Sequence, residues 1–131
     1  MNAVLRGAAT ELEPYDITPL EFTALRMCLA KGETTMTELA TILPVDTSRT
    51  SRTVTGLVDK GLLRRRRRRD DRRVVMLRLS EQGIELTSTL QELLRAFDAR
   101  LTENVTEDEL RVFESVISRI AANYAAMQET E

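Results

Sequence analysis

Residues 47–79 run TSRTSRTVTGLVDKGLLRRRRRRDDRRVVMLRL, and this stretch decides the fold. Its first part is polar (Thr47, Ser48, Arg49, Thr50, Ser51, Arg52, Thr53), and Val54, Leu57 and Val58 then follow at helical spacing. Asp46 stands where an N-cap belongs and Gly61 where a helix ends, so the spacing predicts a helix from Thr47 to about Lys60. After Gly61 the period changes. Leu62-Leu63-Arg64-Arg65 reads as one strand. Val75, Leu77 and Leu79, alternating with Val74, Met76 and Arg78, read as a second, half-buried strand. Arg66 to Arg73, with Asp70-Asp71 inside it, forms the basic tip of a hairpin between them.

Working outward, Thr35-Met36-Thr37-Glu38 is a capping box ahead of Met36, Leu39, Ala40 and Leu43 at i, i+3, i+4 and i+7. Pro44 stops that short helix, and the two helices meeting around Pro44 make a helix-turn-helix. Thr18-Pro19-Leu20-Glu21 starts an earlier helix with Phe22, Leu25, Cys28 and Leu29 on one face and Gly32 at its end. Residues 2–13 are weakly helical, closed by Pro14 and Asp16. Downstream, Ser80 caps a long helix from Glu81 to Leu101 with Leu86, Leu90, Leu93, Leu94, Phe97 and Leu101 in line. Thr106 to Glu109 is a third capping box, and Leu110, Phe113, Ile117, Ile120, Ala121 and Tyr124 continue the stripe. These terminal stripes exceed what one antiparallel helix pair can hide, so a second copy is expected to cover them.

The expected fold is mainly α with a small β-hairpin wing: a winged helix-turn-helix with terminal dimerisation helices. Residues 1–131 make a single chain of this type. Its DNA-binding part is expected at 18–80 and its helical dimerisation part at 1–17 and 81–131.

At 131 residues one domain is the natural count. The net charge of −2 conceals a segregation: residues 1–46 balance to −4, residues 47–78 to +9, and residues 79–131 to −7. A polyanion partner is therefore expected for the middle of the chain alone. The chain has no histidine, which removes Ser-His-Asp and Cys-His catalysis and imidazole-ligated zinc. A single cysteine excludes an internal disulfide and any multi-cysteine metal site. The five glycines are dispersed and build no phosphate loop, and many carboxylates fall at helix starts, where they favour the helix dipole. No enzyme, metal or cofactor is indicated. No membrane-spanning run or signal peptide is legible, so the cytoplasm is the expected home. Residues 47–79 contain no aromatic side chain for stacking on RNA, and the polybasic run lacks the amphipathic helix or lipid anchor of a membrane site.

Duplex DNA fits better. Small hydroxyl side chains let a helix sink into a major groove about 12 Å wide, and Arg49 and Arg52, three residues apart, share a face. The hairpin arginines would follow the phosphate backbone and the minor groove. Cys28 lies on a core stripe and reads as a small buried apolar residue. Tyr15, Phe22, Phe113 and Tyr124 read as core or dimer packing rather than an effector pocket. Met36 reads as core, and Met76 as exposed or packed on arginine stems.

Leu39-Ala40, Thr47–Arg52, Leu57-Val58-Asp59-Lys60-Gly61-Leu62-Leu63-Arg64 and Asp71-Arg72-Arg73 followed by Val75, Leu77, Leu79, Ser80 and Gly83 resemble the MarR family of bacterial winged-helix regulators. The resemblance covers about Ile17 to Ile84. It implies a recognition helix carrying Thr47, Ser48, Arg49, Thr50, Ser51 and Arg52, and a wing carrying Arg66, Arg67, Arg68, Arg69, Arg72 and Arg73. It implies that Arg73 enters the minor groove and that Asp71 orients it. It further implies a homodimer, here expected to use Leu5, Leu12, Ile117, Ile120 and Tyr124, on a pseudo-palindromic double-stranded operator. A repressor released by a small-molecule effector follows. The segment before Thr18 is shorter than the family pattern, which leaves two alternatives, a leaner dimer interface or a truncated start. The competing expectation is a non-catalytic helical interaction protein, anti-repressor-like or polyanion-binding, that keeps the fold without specific operator binding.

Overall fold

Hydroxyl or carboxylate side-chain caps set where several helices of this chain start. The computed structural model describes the backbone of residues 2–130 and the side chains of residues 7–130, and they begin with α1 (Asn2–Leu12). A 3₁₀ turn at Glu13–Tyr15 follows and ends at Asp16, whose φ of 56° is left-handed. α2 (Pro19–Lys31) starts with a complete capping box: Thr18 Oγ1 accepts from the Glu21 N–H at 3.1 Å, and Glu21 Oε1 accepts from the Thr18 N–H at 3.0 Å. Gly32 closes it at φ 79°, a conformation that side chains with a Cβ rarely adopt.

A strand follows that the sequence reading did not foresee: β1 (Glu33–Thr35). α3 (Met36–Ile42) begins with only half of the expected box. Thr35 Oγ1 accepts from the Glu38 N–H at 3.0 Å, but the Glu38 carboxylate turns to Lys31 at 3.0 Å and to the Thr34 hydroxyl at 3.1 Å. A cation and a hydroxyl outcompete the backbone amide for it, which holds this carboxyl below its usual range. α4 (Thr47–Asp59) follows Asp46, whose Oδ1 accepts from the Arg49 N–H at 2.7 Å.

β2 (Leu63–Arg67) runs two residues further than the sequence suggested and pairs antiparallel with β3 (Val75–Leu79). β3 also pairs with β1, so the sheet order is β1-β3-β2. α5 spans Glu81–Leu101 and α6 spans Glu107–Glu129, with the Thr106–Glu109 box complete.

The described residues divide into two compact units, 1–97 and 98–131. The first holds the core: Leu12, Phe22, Leu25, Cys28, Leu39, Val54, Leu57, Leu77 and Leu90 are buried together. Cys28 is fully buried as expected, and burial pushes its thiol up to about 11. Leu12, expected at a dimer interface, is instead fully buried in the core of its own chain and has no surface left to offer a partner. In the second unit no residue of α6 is buried.

An ion pair locks α4 against α2. Lys60 Nζ lies 3.0 and 3.2 Å from the two oxygens of Glu21, which is almost buried, and also donates to the Asp16 carbonyl. One ammonium thus ties the end of α4 to the start of α2.

Candidate nucleic-acid interface

The amphipathic order of α4 decides what it presents. Thr50, Val54 and Leu57 face the core, while Thr47, Ser48, Arg49, Ser51 and Arg52 face solvent. Thr50 was expected on the contact face; it is fully buried and donates its hydroxyl to the Asp46 carbonyl at 3.0 Å, because it falls one turn before Val54 on the apolar stripe. The Thr53 hydroxyl is likewise used up, on the Arg49 carbonyl at 2.8 Å.

Strand alternation sorts the wing arginines. Leu63, Arg65 and Arg67 sit opposite Leu79, Leu77 and Val75, on the side that meets α4, and Arg65 reaches Thr55 Oγ1 at 3.4 Å. Met36, Ser51, Arg65, Arg66, Arg67 and Val75 line a cleft of about 510 Å³ between the helices and the wing. Arg66 bonds Glu33 of β1 at 2.7 Å.

At the tip, the Arg68 N–H donates to the Val74 carbonyl and the Val74 N–H to the Asp71 carbonyl, each at 3.0 Å. Two aspartates each hold one guanidinium in a two-point grip. Asp71 takes the Nε and a terminal NH of Arg73 at 3.1 and 3.2 Å, and also the Arg73 backbone N–H at 3.1 Å. Asp70 takes Nε of Arg68 at 2.8 Å and a terminal NH as well. These bonds lower both carboxyls, Asp70 to about 2 through Arg68, and Asp71 through Arg73, so both are ionised at neutral pH. Arg67 donates to the Arg72 carbonyl at 2.9 Å. Arg49, Arg52, Arg64, Arg69 and Arg72 form no ion pair among the described residues.

The structure thus brings the exposed residues of α4 and all six named wing arginines to solvent-facing positions of one unit. Sequence reading missed Asp70, Glu33 and the Glu21–Lys60 pair. Asp70 had a signal: Arg68 and Asp70 stand two apart, as Asp71 and Arg73 do, in reverse order.

A MarR family model matches residues 15–74. The multiple antibiotic resistance protein MarR of Salmonella typhimurium is 30% identical over 110 residues, which span 83% of this chain and 76% of that protein. The chain belongs to the MarR family. It is a transcriptional regulator of that family, not an enzyme. Among solved structures, Escherichia coli MarR in complex with operator DNA matches with a TM-score of 0.79 at 28% identity, covering 88% of this chain and 83% of that one. The regulator BldR of Sulfolobus solfataricus matches with a TM-score of 0.77 at 25% identity, covering 90% and 86%. The mainly helical chain with its small three-stranded antiparallel sheet has the winged-helix fold expected from the sequence.

Outside the cationic face of this MarR-family chain, α6 carries an apolar stripe open to solvent. Val112, Phe113, Val116, Ile120, Tyr124 and Met127 are exposed, and Ile117 is half-buried. Ile120 and Tyr124 keep 58% and 63% of their surface, so Tyr124 and Phe113 pack in no core of this chain, whereas Phe22 does. The side chain of Leu5 lies outside the described residues. Among them, no helix is long and apolar enough to cross a membrane.

Proposed function

We propose that this chain is a cytoplasmic homodimeric repressor that grips a pseudo-palindromic operator in double-stranded DNA and is released by a small acidic ligand. The observation that carries the reading is the Asp71–Arg73 grip. It fixes a long side chain while leaving the arginine 91% exposed, which is the state a side chain needs to enter a minor groove at low entropic cost. Thr47, Ser48, Arg49, Ser51 and Arg52 of α4 would meet base edges and phosphates in the major groove, and Arg66, Arg67, Arg69 and Arg72 the backbone beside it, with Arg68 held at the same tip by Asp70. The operator complex of the E. coli relative supports this assignment. On this reading residues 18–80 bind DNA, and residues 1–17 and 81–131 serve dimerisation.

The exposed stripe of α6 supports the dimer through Ile117, Ile120 and Tyr124. Two copies would bring two recognition helices to half-sites about one helical turn apart. The cleft beneath the wing offers three arginines beside Met36 and Val75, a lining that suits a small organic anion with an apolar body. Such a ligand would draw Arg65, Arg66 and Arg67 away from DNA.

The test is selection of bound duplexes from a random pool, followed by anisotropy titrations on the winner. A two-fold symmetric site is expected, with affinity falling about 10³–10⁵-fold between 50 and 200 mM salt if ~6–10 phosphates are engaged. Recovery of no preferred sequence would favour the non-specific polyanion binder. A monomer in sedimentation at micromolar concentration refutes the dimer.

A further inference from the structure

The tip of the wing carries two Asp–Arg grips, and they differ in which member is the more exposed. In the Asp71–Arg73 pair the arginine is the outer member: its side chain is 91% exposed and the carboxylate 35%. In the Arg68–Asp70 pair the order is inverted, with the arginine side chain 44% exposed and the carboxylate 68%. The most exposed charge of one pair is thus the Arg73 guanidinium, and of the other the Asp70 carboxylate. The inversion follows from the sequence, since Arg68-x-Asp70 and Asp71-x-Arg73 mirror each other about the turn.

From this arrangement we propose that Asp70 is a built-in counterion that keeps Arg68 off the phosphate backbone and so restrains binding to DNA of any sequence. The proposal rests on the DNA-binding reading above. Its physical need is visible in the composition. Arg64 to Arg69, Arg72 and Arg73 place eight arginines on one hairpin. Phosphate contacts hold any sequence equally, so an unrestrained hairpin of that kind raises non-specific binding without raising discrimination. An exposed carboxylate acts twice: it occupies the guanidinium, and it repels the phosphate that would displace it. Protonation does not relieve the restraint at neutral pH, because Arg68 holds the Asp70 carboxyl at about 2.

The test compares wild type with Asp70→Asn and Asp71→Asn on two duplexes, one of scrambled sequence and one selected from a random pool. Asp70→Asn removes the charge and frees Arg68 for one more phosphate per wing. Binding to the scrambled duplex should tighten about five- to ten-fold per wing at 0.1 M salt, and its slope against log salt should steepen by about 0.9 per wing. Affinity for the selected duplex should rise by a similar factor, because a phosphate contact holds any sequence equally. Asp71→Asn should instead weaken the selected duplex. The proposal is overturned if Asp70→Asn leaves scrambled-duplex affinity and salt slope unchanged. It is equally overturned if Asp70→Asn weakens the selected duplex as Asp71→Asn does, which would make Asp70 an orienting residue for Arg68. A wild-type protein that binds neither duplex overturns both this proposal and the DNA-binding reading. Circular dichroism melts check that the tip substitutions leave the fold intact, and Asp70→Ser repeats the comparison if asparagine alters the turn.

Discussion

Gly83 and Gly56 both sit inside helices, yet replacing each with alanine is expected to move stability in opposite directions. A Cβ on Gly83 would lie 2.0 Å from the Leu62 carbonyl oxygen, 3.0 Å from its carbon and 3.3 Å from its Cα. That neighbour is backbone, and it is held on several sides. The Leu62 N–H donates to the Leu57 carbonyl at 3.0 Å, its carbonyl accepts from Ser80 N–H at 3.1 Å, and Ser80 Oγ donates to the Gly61 carbonyl at 2.6 Å. The side chains of Leu62 and Leu63 are buried. An overlap of this depth can be relieved only by lifting the first turn of α5 off the start of β2. Overpacking of a tight site costs about 1–3 kcal/mol, and this one belongs at the top of that range. The Ser80–Leu62 hydrogen bond adds about 1 kcal/mol if it breaks, and the better helix propensity of alanine returns about 1 kcal/mol. The net expectation for Gly83→Ala is a loss of about 3 kcal/mol. At Gly56 a Cβ meets only Glu21 Oε2, at an ordinary 3.8 Å. The propensity gain then stands alone, about 0.5–1 kcal/mol of added stability.

Urea unfolding followed by circular dichroism measures both. With a slope of about 1.5–2 kcal/mol/M, the Gly83→Ala midpoint should fall by about 1.5–2 M and the Gly56→Ala midpoint should rise by a few tenths. A loss below about 1 kcal/mol for Gly83→Ala would refute the claim that backbone, not side chain, sets the contact.

Lys60→Met leaves the almost buried Glu21 carboxylate without its cation and should cost about 1–3 kcal/mol in thermal unfolding, discounted from the fully buried case because Lys60 is partly exposed. The double variant Glu21→Gln/Lys60→Met should recover part of that loss, and a neutral single variant would show that the tie carries no weight. Cys28, with its thiol raised to about 11, should resist iodoacetamide at pH 8 in the folded protein and react fully in urea; prompt native reaction would refute its burial. Arg73→Ala should weaken duplex binding by about 1–3 kcal/mol with an unchanged melting temperature, and unaltered operator affinity would sink the wing assignment.

The helix starts were the most legible part of the chain because each is fixed by residues three apart. Thr18 with Glu21, Asp46 ahead of Arg49, and Thr106 with Glu109 form their bonds as the spacing predicts. Glu38 departs from its box because its better partners, Lys31 and Thr34, come from the preceding helix end and strand. Strand β1 escaped notice because three residues carry no period, and it exists only through the register Glu33 to Arg78 that β3 supplies. Thr50 and Leu12 were misplaced for one shared reason. A polar or terminal position in sequence says little about burial when the neighbouring turn belongs to the core. Asp71 was read from the family resemblance and its bonds to Arg73 are present, whereas the Asp70 grip has no family motif to announce it.

Charge is the quantity on which the whole-chain value misleads most. An isoelectric point near 5.4 describes a protein that duplex DNA should repel. At physiological ionic strength, exposed charges further apart than about 8 Å are largely screened, so a phosphate responds to its immediate neighbours and not to the total. Around α4 and the wing those neighbours are mainly the +9 of residues 47–78, and of the acidic flank Asp46 caps α4, Glu33 pairs with Arg66 and Glu21 with Lys60. For the proposed DNA binder this division does more than permit contact. The basic surplus of that segment favours encounters in which the helix and wing arrive first. Lower salt lengthens the reach of every charge, so the acidic segments are felt most where the arginines bind most strongly. The pairing of Arg68 with the more exposed Asp70 repeats this logic over a few ångströms: the wing's cations are plentiful, and on the proposal above its carboxylates limit which of them a phosphate can reach.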